Sequence, residues 1–125
     1  MKVIPKTVQE LVAKHIHSVD VLEILLLLRR DAGKEWGAVA ISEALRLEPN
    51  SVKSRLRRLV SAELVAARFV GPEEVFRYQP STVELNHALN DLASWYSSHR
   101  VAIVALIYSN PAEEIRTYPG GGDGN

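Results

Sequence analysis

A short basic segment offers the strongest candidate chemistry in this chain. The segment NSVKSRLRRLV runs from position 50 to 60 and places four cations within six residues. Ammonium and guanidinium groups at this density can bind phosphate oxygens, and one arginine can donate two hydrogen bonds to a guanine. The alternative is an ordinary solvated helix face, although such faces usually mix both signs of charge. The four cations are Lys53, Arg55, Arg57 and Arg58, and no acid occurs from 52 to 62.

The positive charge is local, because the chain as a whole is neutral. Its 125 residues include 15 Lys and Arg against 15 Asp and Glu. Any attraction to nucleic acid or to an acidic surface must therefore come from one region. The length suits a single domain, and 46% hydrophobic with 24% charged residues is typical of a globular protein.

Several classes of protein are disfavoured by composition. The absence of cysteine excludes disulfides, thiolate metal sites and thiol redox sensing, and it fits a reducing compartment. The start MKVIPKTVQE has no apolar core of a signal peptide. The longest apolar runs, 24–28 and 101–108, fall short of the ~20 residues of a membrane helix. We expect a cytoplasmic protein with no membrane contact.

Helical spacing sorts the basic segment into two sides. We predict a helix over about 52–62, capped by Asn50 or Ser51. At 100° per residue, an apolar side opposes a side of serine and arginine. The apolar side holds Val52, Leu56, Leu59 and Val60; the opposite side holds Ser51, Ser54, Arg55 and Arg58; Lys53 and Arg57 flank it.

The preceding segments predict the elements that position this helix. A first helix follows Thr7 and ends near position 16, and a second, over 19–30, is apolar nearly all round and should be buried. A brief extended piece covers 36–39. Ser42 then caps a short helix over 43–47. Residues 48–50 form a turn before the next helix, because Pro49 disfavours helical conformation at the residue that precedes it.

A hairpin should follow the basic helix. We predict strands over 64–70 and 75–78, joined by a loop over 71–74. This register places Arg68 opposite Arg77, a like-charge pair that a phosphate between them would relieve, unless both side chains extend into solvent. The loop carries Glu73 and Glu74, which DNA would repel, so we expect the hairpin tip to stay clear of DNA.

A long final helix is predicted over 83–108. Apolar residues repeat along it in steps of three and four and form one apolar seam, and a second apolar face appears near its end. Because a single small domain rarely covers both faces of a helix, this pattern favours a homodimer. The alternative is that 101–108 is buried in its own domain. We therefore expect one domain over 1–110, with a dimerisation helix over about 82–109, and a flexible tail over 111–125. The seam holds Leu85, Leu89, Leu92, Tyr96, His99, Ile103 and Leu106.

Residues from about 20 to 80 resemble the winged helix-turn-helix domains of bacterial transcriptional regulators of the MarR type and its relatives. The motifs that carry the resemblance are VLEILLLLRR, EWGAVAISEAL and LRLEPNSVKSRLRRLVSAELV. The resemblance implies a mainly α (α+β) winged helix-turn-helix with a long C-terminal helix. It also implies that the helix from Val52 enters the major groove of double-stranded DNA. The family usually has glycine where this chain has Glu63, which would be strained by about 1 kcal/mol if its backbone were left-handed.

The residue chemistry then suggests roles. Ser51, Ser54, Arg55 and Arg58 are expected to face bases. Phosphate contacts are expected from Lys53, Arg57, Arg68 and Arg77 and from the N-cap groups of Ser42 and Ser51.

Enzyme and cofactor chemistry find little support. No glycine-rich phosphate loop, HExxH, GxSxG or paired-carboxylate motif occurs, and we expect no cofactor. His15 and His17 lie two positions apart on a helix and would point to different sides, which disfavours a metal pair. No pocket for an effector can be read from the sequence. The leading hypothesis is a dimeric, non-enzymatic DNA-binding regulator, and the alternative is a winged-helix module that binds an acidic protein surface.

Overall fold

The computed structural model describes residues 3–109, and the predicted flexible tail over 111–125 lies outside them. The described part is mainly helical, with a small antiparallel sheet in the strand order β1-β3-β2. Its elements are α1 (Lys6–His15), α2 (Val19–Arg30), β1 (Trp36–Gly37), α3 (Ala38–Leu45), α4 (Pro49–Ser61), β2 (Val65–Val70), β3 (Glu73–Tyr78), α5 (Val83–Ser98) and α6 (Arg100–Tyr108).

Contacts divide the chain into two compact units. One unit is Asp20–Asn86, which holds the sheet and the helices α3 and α4. The other combines residues 3–19 with 87–109, where α1 contacts α6. The expectation of one domain over 1–110 stays a prediction. Among residues 3–109 no helix is both long enough and apolar enough to cross a membrane.

Helix α2 confirms the predicted buried helix. Apolar side chains occur nearly all round it, so it can be buried on most sides. Asp20 in its first turn and Arg29 and Arg30 in its last turn complement the helix dipole. The buried residues of α2 are Val21, Leu22, Ile24, Leu25, Leu27 and Leu28.

Helix α3 begins earlier than predicted. The extended piece is only Trp36–Gly37, paired with β3, and Gly37 is the N-cap residue. Ala38 and Ile41 are both buried, and their i, i+3 spacing places them on one helical face. The prediction that Ser42 caps this helix was therefore wrong, because Ser42 lies in the middle of α3.

Ser42 instead holds the turn between α3 and α4. It is buried, its hydroxyl donates to the carbonyl of Leu47, and its own carbonyl accepts from the Leu47 N–H at 3.0 Å. Arg46 adopts the left-handed conformation at φ 58° and also donates its N–H to the Ser42 carbonyl. The hydroxyl is committed to the protein, so a phosphate contact by Ser42 has no support.

Helix α4 starts at Pro49, not after it. Proline is favoured at the first helical position, where its missing N–H removes nothing from the helix. The N-cap is Glu48, whose carboxylate accepts from the Ser51 N–H at 2.9 Å. The prediction of Asn50 or Ser51 as the cap was therefore wrong by two or three positions.

The hairpin of β2 and β3 is tighter than predicted. Val70 pairs with Glu73, so the turn is only Gly71 and Pro72. Gly71 has φ +61°, and proline fixes a negative φ at the next position, which is the pattern of a type II′ turn.

This register corrects the predicted pairing of the two hairpin arginines. Arg68 pairs with Val75, and Arg77 pairs with Ala66. Arg68 and Arg77 are therefore diagonal neighbours on one face of the hairpin, not directly opposite each other.

Glu63 has the strained conformation that a glycine would relieve. It follows α4 with φ 64°, in the left-handed region. Two contacts to Ser81 offset part of the cost: the Ser81 hydroxyl donates to the Glu63 carboxylate at 3.1 Å, and the Ser81 N–H donates to the Glu63 carbonyl at 2.9 Å.

The predicted long final helix is broken at His99. Its backbone (φ −138°, ψ 57°) separates α5 from α6. The hydroxyl of Ser98 bonds back to the Ser94 carbonyl at 3.0 Å, a contact that often bends helices. The His99 ring lies 2.7 Å from the Ser98 hydroxyl through Nδ1, and its centroid is 4.7 Å from that of Trp95. His99 therefore packs against Trp95 and is hydrogen-bonded through its ring, although it was predicted to lie inside the helix and not at its end.

Candidate nucleic-acid interface

The outer face of α4 is the candidate interface. Three apolar residues anchor the helix from behind: Val52, Leu56 and Leu59 are each at most 1% exposed. No acid occurs between Pro49 and Ser61, so the opposite face carries cations and small polar groups only. Beyond Pro49, the exposed residues of α4 are Asn50, Lys53, Ser54, Arg57, Arg58 and Ser61.

Arg55 lies to one side of this face. Its side chain is 29% exposed, and Nη2 is 3.8 Å from Oδ2 of Asp20 at the start of α2. Nη1 donates to the carbonyl of Ser51 at 3.3 Å, while Nε is buried with no hydrogen-bond partner in the described structure. The geometry directs the Arg55 guanidinium toward α2, so a base contact would require it to leave Asp20.

Arg57 is bound to the hairpin. Its Nη2 forms a hydrogen-bonded ion pair with Glu74 of β3, and its guanidinium carbon lies 6.0 Å from the ring centroid of Phe76. The Arg57 side chain is still 60% exposed, whereas that of Glu74 is 21% exposed. The hairpin thus supplies an acid, not a cation, to the edge of the basic helix.

Arg68 is paired on the other face of the sheet. Its Nη2 donates to the Glu35 carboxylate at 2.7 Å, and its Nε donates to the other carboxylate oxygen. The hydrogen bonds from Arg68 lower the pKa of Glu35, and the charges of Arg68 and Arg77 lower it further. A carboxylate of the same chain therefore pairs with Arg68, and the nearby Arg77 acts on it only through its charge.

Three of the predicted DNA-contacting cations have no ion-pair partner among residues 3–109. Lys53, Arg58 and Arg77 are exposed. No ion pair found in residues 3–109 involves any of them. These three side chains are the most readily available to an anionic partner.

An open cleft of about 440 Å³ lies between α4 and the hairpin. Lys53 and Arg57 line it from α4, and Glu73 and Glu74 from β3. Its apolar lining includes Phe69, which is 66% exposed. The cleft brings equal numbers of acids and bases together, so it favours no anion by charge alone.

Two exposed residues on the outer face of α4 were not predicted from the sequence. Asn50 and Ser61 lie on the outer face with Ser54, whereas Ser51 and Arg55 are half-buried. At 100° per residue, Asn50 and Ser61 lie within about 40° of Ser54, whereas Arg55 lies about 100° from it. The spacing alone therefore predicts an outer face that includes Asn50 and Ser61 and leaves Arg55 to one side, whether or not Val60 is counted in the apolar seam.

The start of α4 has polarised backbone groups. The hydrogen bonds from the N–H groups of Asn50 and Ser51 hold the pKa of Glu48 below its ordinary value. The Glu48 carboxylate therefore occupies the place where a helix start would otherwise accept a phosphate. A phosphate contact by the Ser51 N–H competes with this cap.

The side chains of residues 3–109 form no arrangement suited to binding a metal ion. No group of three or more His, Asp or Glu side chains there is arranged to hold an ion. His15 is half-buried, and this burial lowers its pKa, with the nearby charges of Lys14 and His17 acting in the same direction.

Solved structures of other proteins share this fold. The homodimeric winged helix-turn-helix DNA-binding domain (fragment 1–100) of a "possible ArsR-family transcriptional regulator" from Mycobacterium bovis has a TM-score of 0.54 and 27% identity, covering 71% of this chain and 80% of that one. A crystal structure of the same M. bovis fragment, described as a "possible transcriptional regulatory protein", has a TM-score of 0.50 and 26% identity, covering 74% and 86%. Reduced HlyU from Vibrio cholerae has a TM-score of 0.55 and 16% identity, covering 73% and 88%.

These similarities establish the fold. No family model and no curated protein matches the sequence. The similar structures do not single out the MarR type that the sequence resembled, because an ArsR-family name occurs among them. The chain has the winged helix-turn-helix fold of transcriptional regulators, with α3 and α4 as the helix-turn-helix and the β2–β3 hairpin as the wing.

Proposed function

We propose that this protein is a non-enzymatic, cytoplasmic transcriptional regulator that binds double-stranded DNA as a homodimer, with α4 in the major groove. The observation that carries the proposal is the outer face of α4, which is exposed and entirely free of acid from Pro49 to Ser61. Three buried aliphatic residues hold that face outward. The M. bovis neighbour, a homodimeric DNA-binding domain by name, gives independent support at 27% identity.

The proposed roles on α4 follow from exposure and chemistry. Ser54 and Arg58 are exposed and suited to base edges. Ser51 and Arg55 complete the proposed base-facing set, with Arg55 exchanging Asp20 for DNA. Lys53 and Arg57 are proposed to contact the phosphate backbone.

The wing contributes to the proposal less directly. Arg77 is exposed and proposed to meet the backbone, and Arg68 would do so only after exchanging Glu35 for a phosphate. The Gly71–Pro72 turn and the two acids that follow it in β3, Glu73 and Glu74, are proposed to stay clear of DNA.

The homodimer is proposed to form through the C-terminal helices. Ile103 and Ile107 are buried on one side of α6, whereas Val101 is 83% and Tyr108 is 63% exposed on the other. Ala105 lies between these two on the same helical line. Exposed apolar side chains in a row are typical of a helix that packs on a partner, and a two-fold dimer would present α4 to half-sites about one DNA turn apart.

A second candidate is a module that binds an acidic protein surface. The observation that favours it is the apolar exposure of Val39 and Phe69 at the cleft beside Lys53, together with the paired state of Arg57 and Arg68. Salt separates the candidates: DNA binding releases counterions and weakens log-linearly with salt concentration.

The test is selection of bound duplexes from a random pool by the full chain. The proposal predicts an enriched motif with two related half-sites and a log-linear loss of affinity with salt. An unenriched pool, combined with no retention of any duplex at low salt, would refute DNA binding.

A further inference from the structure

We infer that Glu74 of the wing is a specificity-determining residue, which weakens binding to non-cognate DNA by neutralising Arg57 of the recognition helix. The inference rests on the proposed function, because it concerns how the same interface discriminates among duplexes. It assigns a role to an acid of the wing for which the sequence predicted only repulsion from DNA.

The geometry joins the two residues through folded elements on both sides. Glu74 belongs to β3 and pairs in register with Phe69 of β2, so its backbone is fixed by the hairpin. Arg57 lies on α4, which is anchored by the buried Leu56 and Leu59. The carboxylate and the guanidinium meet in a hydrogen-bonded ion pair, and the guanidinium carbon lies 6.0 Å from the ring centroid of Phe76.

The pair changes the charge that DNA meets at a distance. Non-cognate binding depends almost entirely on phosphates attracting cations, and the interface stays hydrated. An Arg57 bound to Glu74 contributes no net charge to such an encounter. Lys53 and Arg58 remain the cations of α4 without an ion pair in the described structure.

In a cognate complex the Arg57 guanidinium has a different choice of partners. When α4 seats fully in the groove, a phosphate at hydrogen-bond distance can replace the carboxylate as the partner of Arg57 and offset its loss. In the loosely bound, hydrated state no such direct contact forms, so Glu74 keeps Arg57 neutral there. The acid therefore disfavours the loosely bound state more than the seated one. Glu74 acts as a filter because its partner is 60% exposed and can leave without unfolding the wing.

The experiment compares Glu74→Gln with the wild type on a random duplex and on the duplex selected from the pool. We expect Glu74→Gln to bind the random duplex roughly three- to tenfold more tightly at low salt, with a salt slope steeper by about 0.9, the value of one additional phosphate contact. Affinity for the selected duplex should rise less, so the ratio of the two affinities falls. The control Glu10→Gln removes the same charge from an exposed residue of α1 and should leave that ratio unchanged.

The double variant Arg57→Gln/Glu74→Gln tests whether Glu74 acts through Arg57. It restores neutrality at the pair, so its salt slope on random DNA should return to the wild-type value. An unchanged slope in Glu74→Gln, or an equal gain on both duplexes, would overturn the inference while leaving DNA binding intact. If the wild type retains no duplex at all, the proposed function itself fails, and the two failures are thereby distinguished.

Discussion

The guanidinium of Arg55 lies 3.8 Å from the carboxylate of Asp20, which connects α4 to the first turn of α2. The Asp20 side chain is 45% exposed, so the ion pair is accessible to solvent and contributes well under about 1 kcal/mol to stability. A base or phosphate can therefore replace Asp20 as the partner of Arg55. The relationship makes the availability of Arg55 to DNA dependent on a residue outside the helix-turn-helix.

The first prediction concerns Asp20→Asn. Removing this carboxylate frees Arg55 and removes one repulsive charge beside the interface, so affinity for the selected duplex should rise roughly threefold at low salt. Titration of labelled duplex measures the change, with Glu10→Gln as the charge-matched control. A loss of affinity in Asp20→Asn would mean that Asp20 holds Arg55 in its working position.

The second prediction separates two serines. Ser42→Ala removes a buried hydroxyl from the Leu47 carbonyl and should lower the free energy of unfolding by about 1–2 kcal/mol, because that carbonyl loses a buried partner. Ser54→Ala alters an exposed side chain and should change stability by less than about 0.5 kcal/mol. Denaturant unfolding measures both variants.

The two variants should rank in the opposite order for their loss of DNA affinity. Ser54→Ala should weaken binding to the selected duplex, whereas folded Ser42→Ala should bind as the wild type does. Equal effects of the two substitutions on affinity would contradict the assignment of Ser42 to the turn and of Ser54 to the interface.

The third prediction concerns the left-handed residue after α4. Glu63→Gly should raise the free energy of unfolding by up to about 1 kcal/mol, because glycine adopts φ 64° without strain. The lost hydrogen bond to Ser81 offsets part of the gain. Ala62→Gly is the matched control: Ala62 has φ −78°, so glycine there should only destabilise. Stabilisation by both substitutions, or by neither, would refute the backbone explanation.

The fourth prediction is a pH dependence at the start of α4. The folded-state pKa of Glu48 is lowered by the backbone N–H groups of Asn50 and Ser51. Its contribution to stability is therefore complete above the unfolded pKa, about 4.3, and is lost as pH falls through the lower folded pKa. Wild type should exceed Glu48→Gln in stability near pH 7, and the difference should vanish in strong acid. A difference that does not vary with pH would contradict the cap.

The fifth prediction tests the dimer. Val101→Asp places a charge on the most exposed apolar position of α6 and should convert a dimer to monomers, as measured by sedimentation equilibrium. Val83→Asp makes the same change at an exposed valine of α5 and should leave the dimer intact. A monomeric wild type, or dimers that persist in Val101→Asp, would exclude α6 as the interface.

The sequence was sufficient for features that depend on periodicity. Buried leucines on all sides of α2 and the apolar seam of α4 predict their helices, and the valine-rich segments around Gly71 predict the hairpin. These patterns report burial directly, since apolar spacing and core-facing geometry have the same origin. The winged helix-turn-helix architecture follows from their order.

The sequence was insufficient where a single residue has two competing roles. Ser42 resembles an N-cap, but a glycine at 37 and buried alanine and isoleucine start the helix earlier. Pro49 resembles a turn residue, yet it opens α4. Glu73 and Glu74 resemble a polar loop, but the tight Gly71–Pro72 turn draws both into β3.

The ion-pair partners of the arginines could not be predicted from the sequence either. The pairs Arg55–Asp20, Arg57–Glu74 and Arg68–Glu35 join positions far apart in the chain. Their existence depends on the packing of helices and strands, which no local pattern encodes. Three cations expected to be free for DNA are thus paired within the folded chain.

The most direct test of the central claim is binding of the selected duplex by the Arg55→Ala/Arg58→Ala double variant. Both side chains belong to the proposed base-facing set, and neither belongs to the buried seam of α4. We expect specific binding to be abolished while the unfolding transition stays cooperative and weak binding to random DNA persists through Lys53 and Arg77. A double variant that binds the selected duplex with wild-type affinity would contradict the assignment of α4 as the helix that reads DNA.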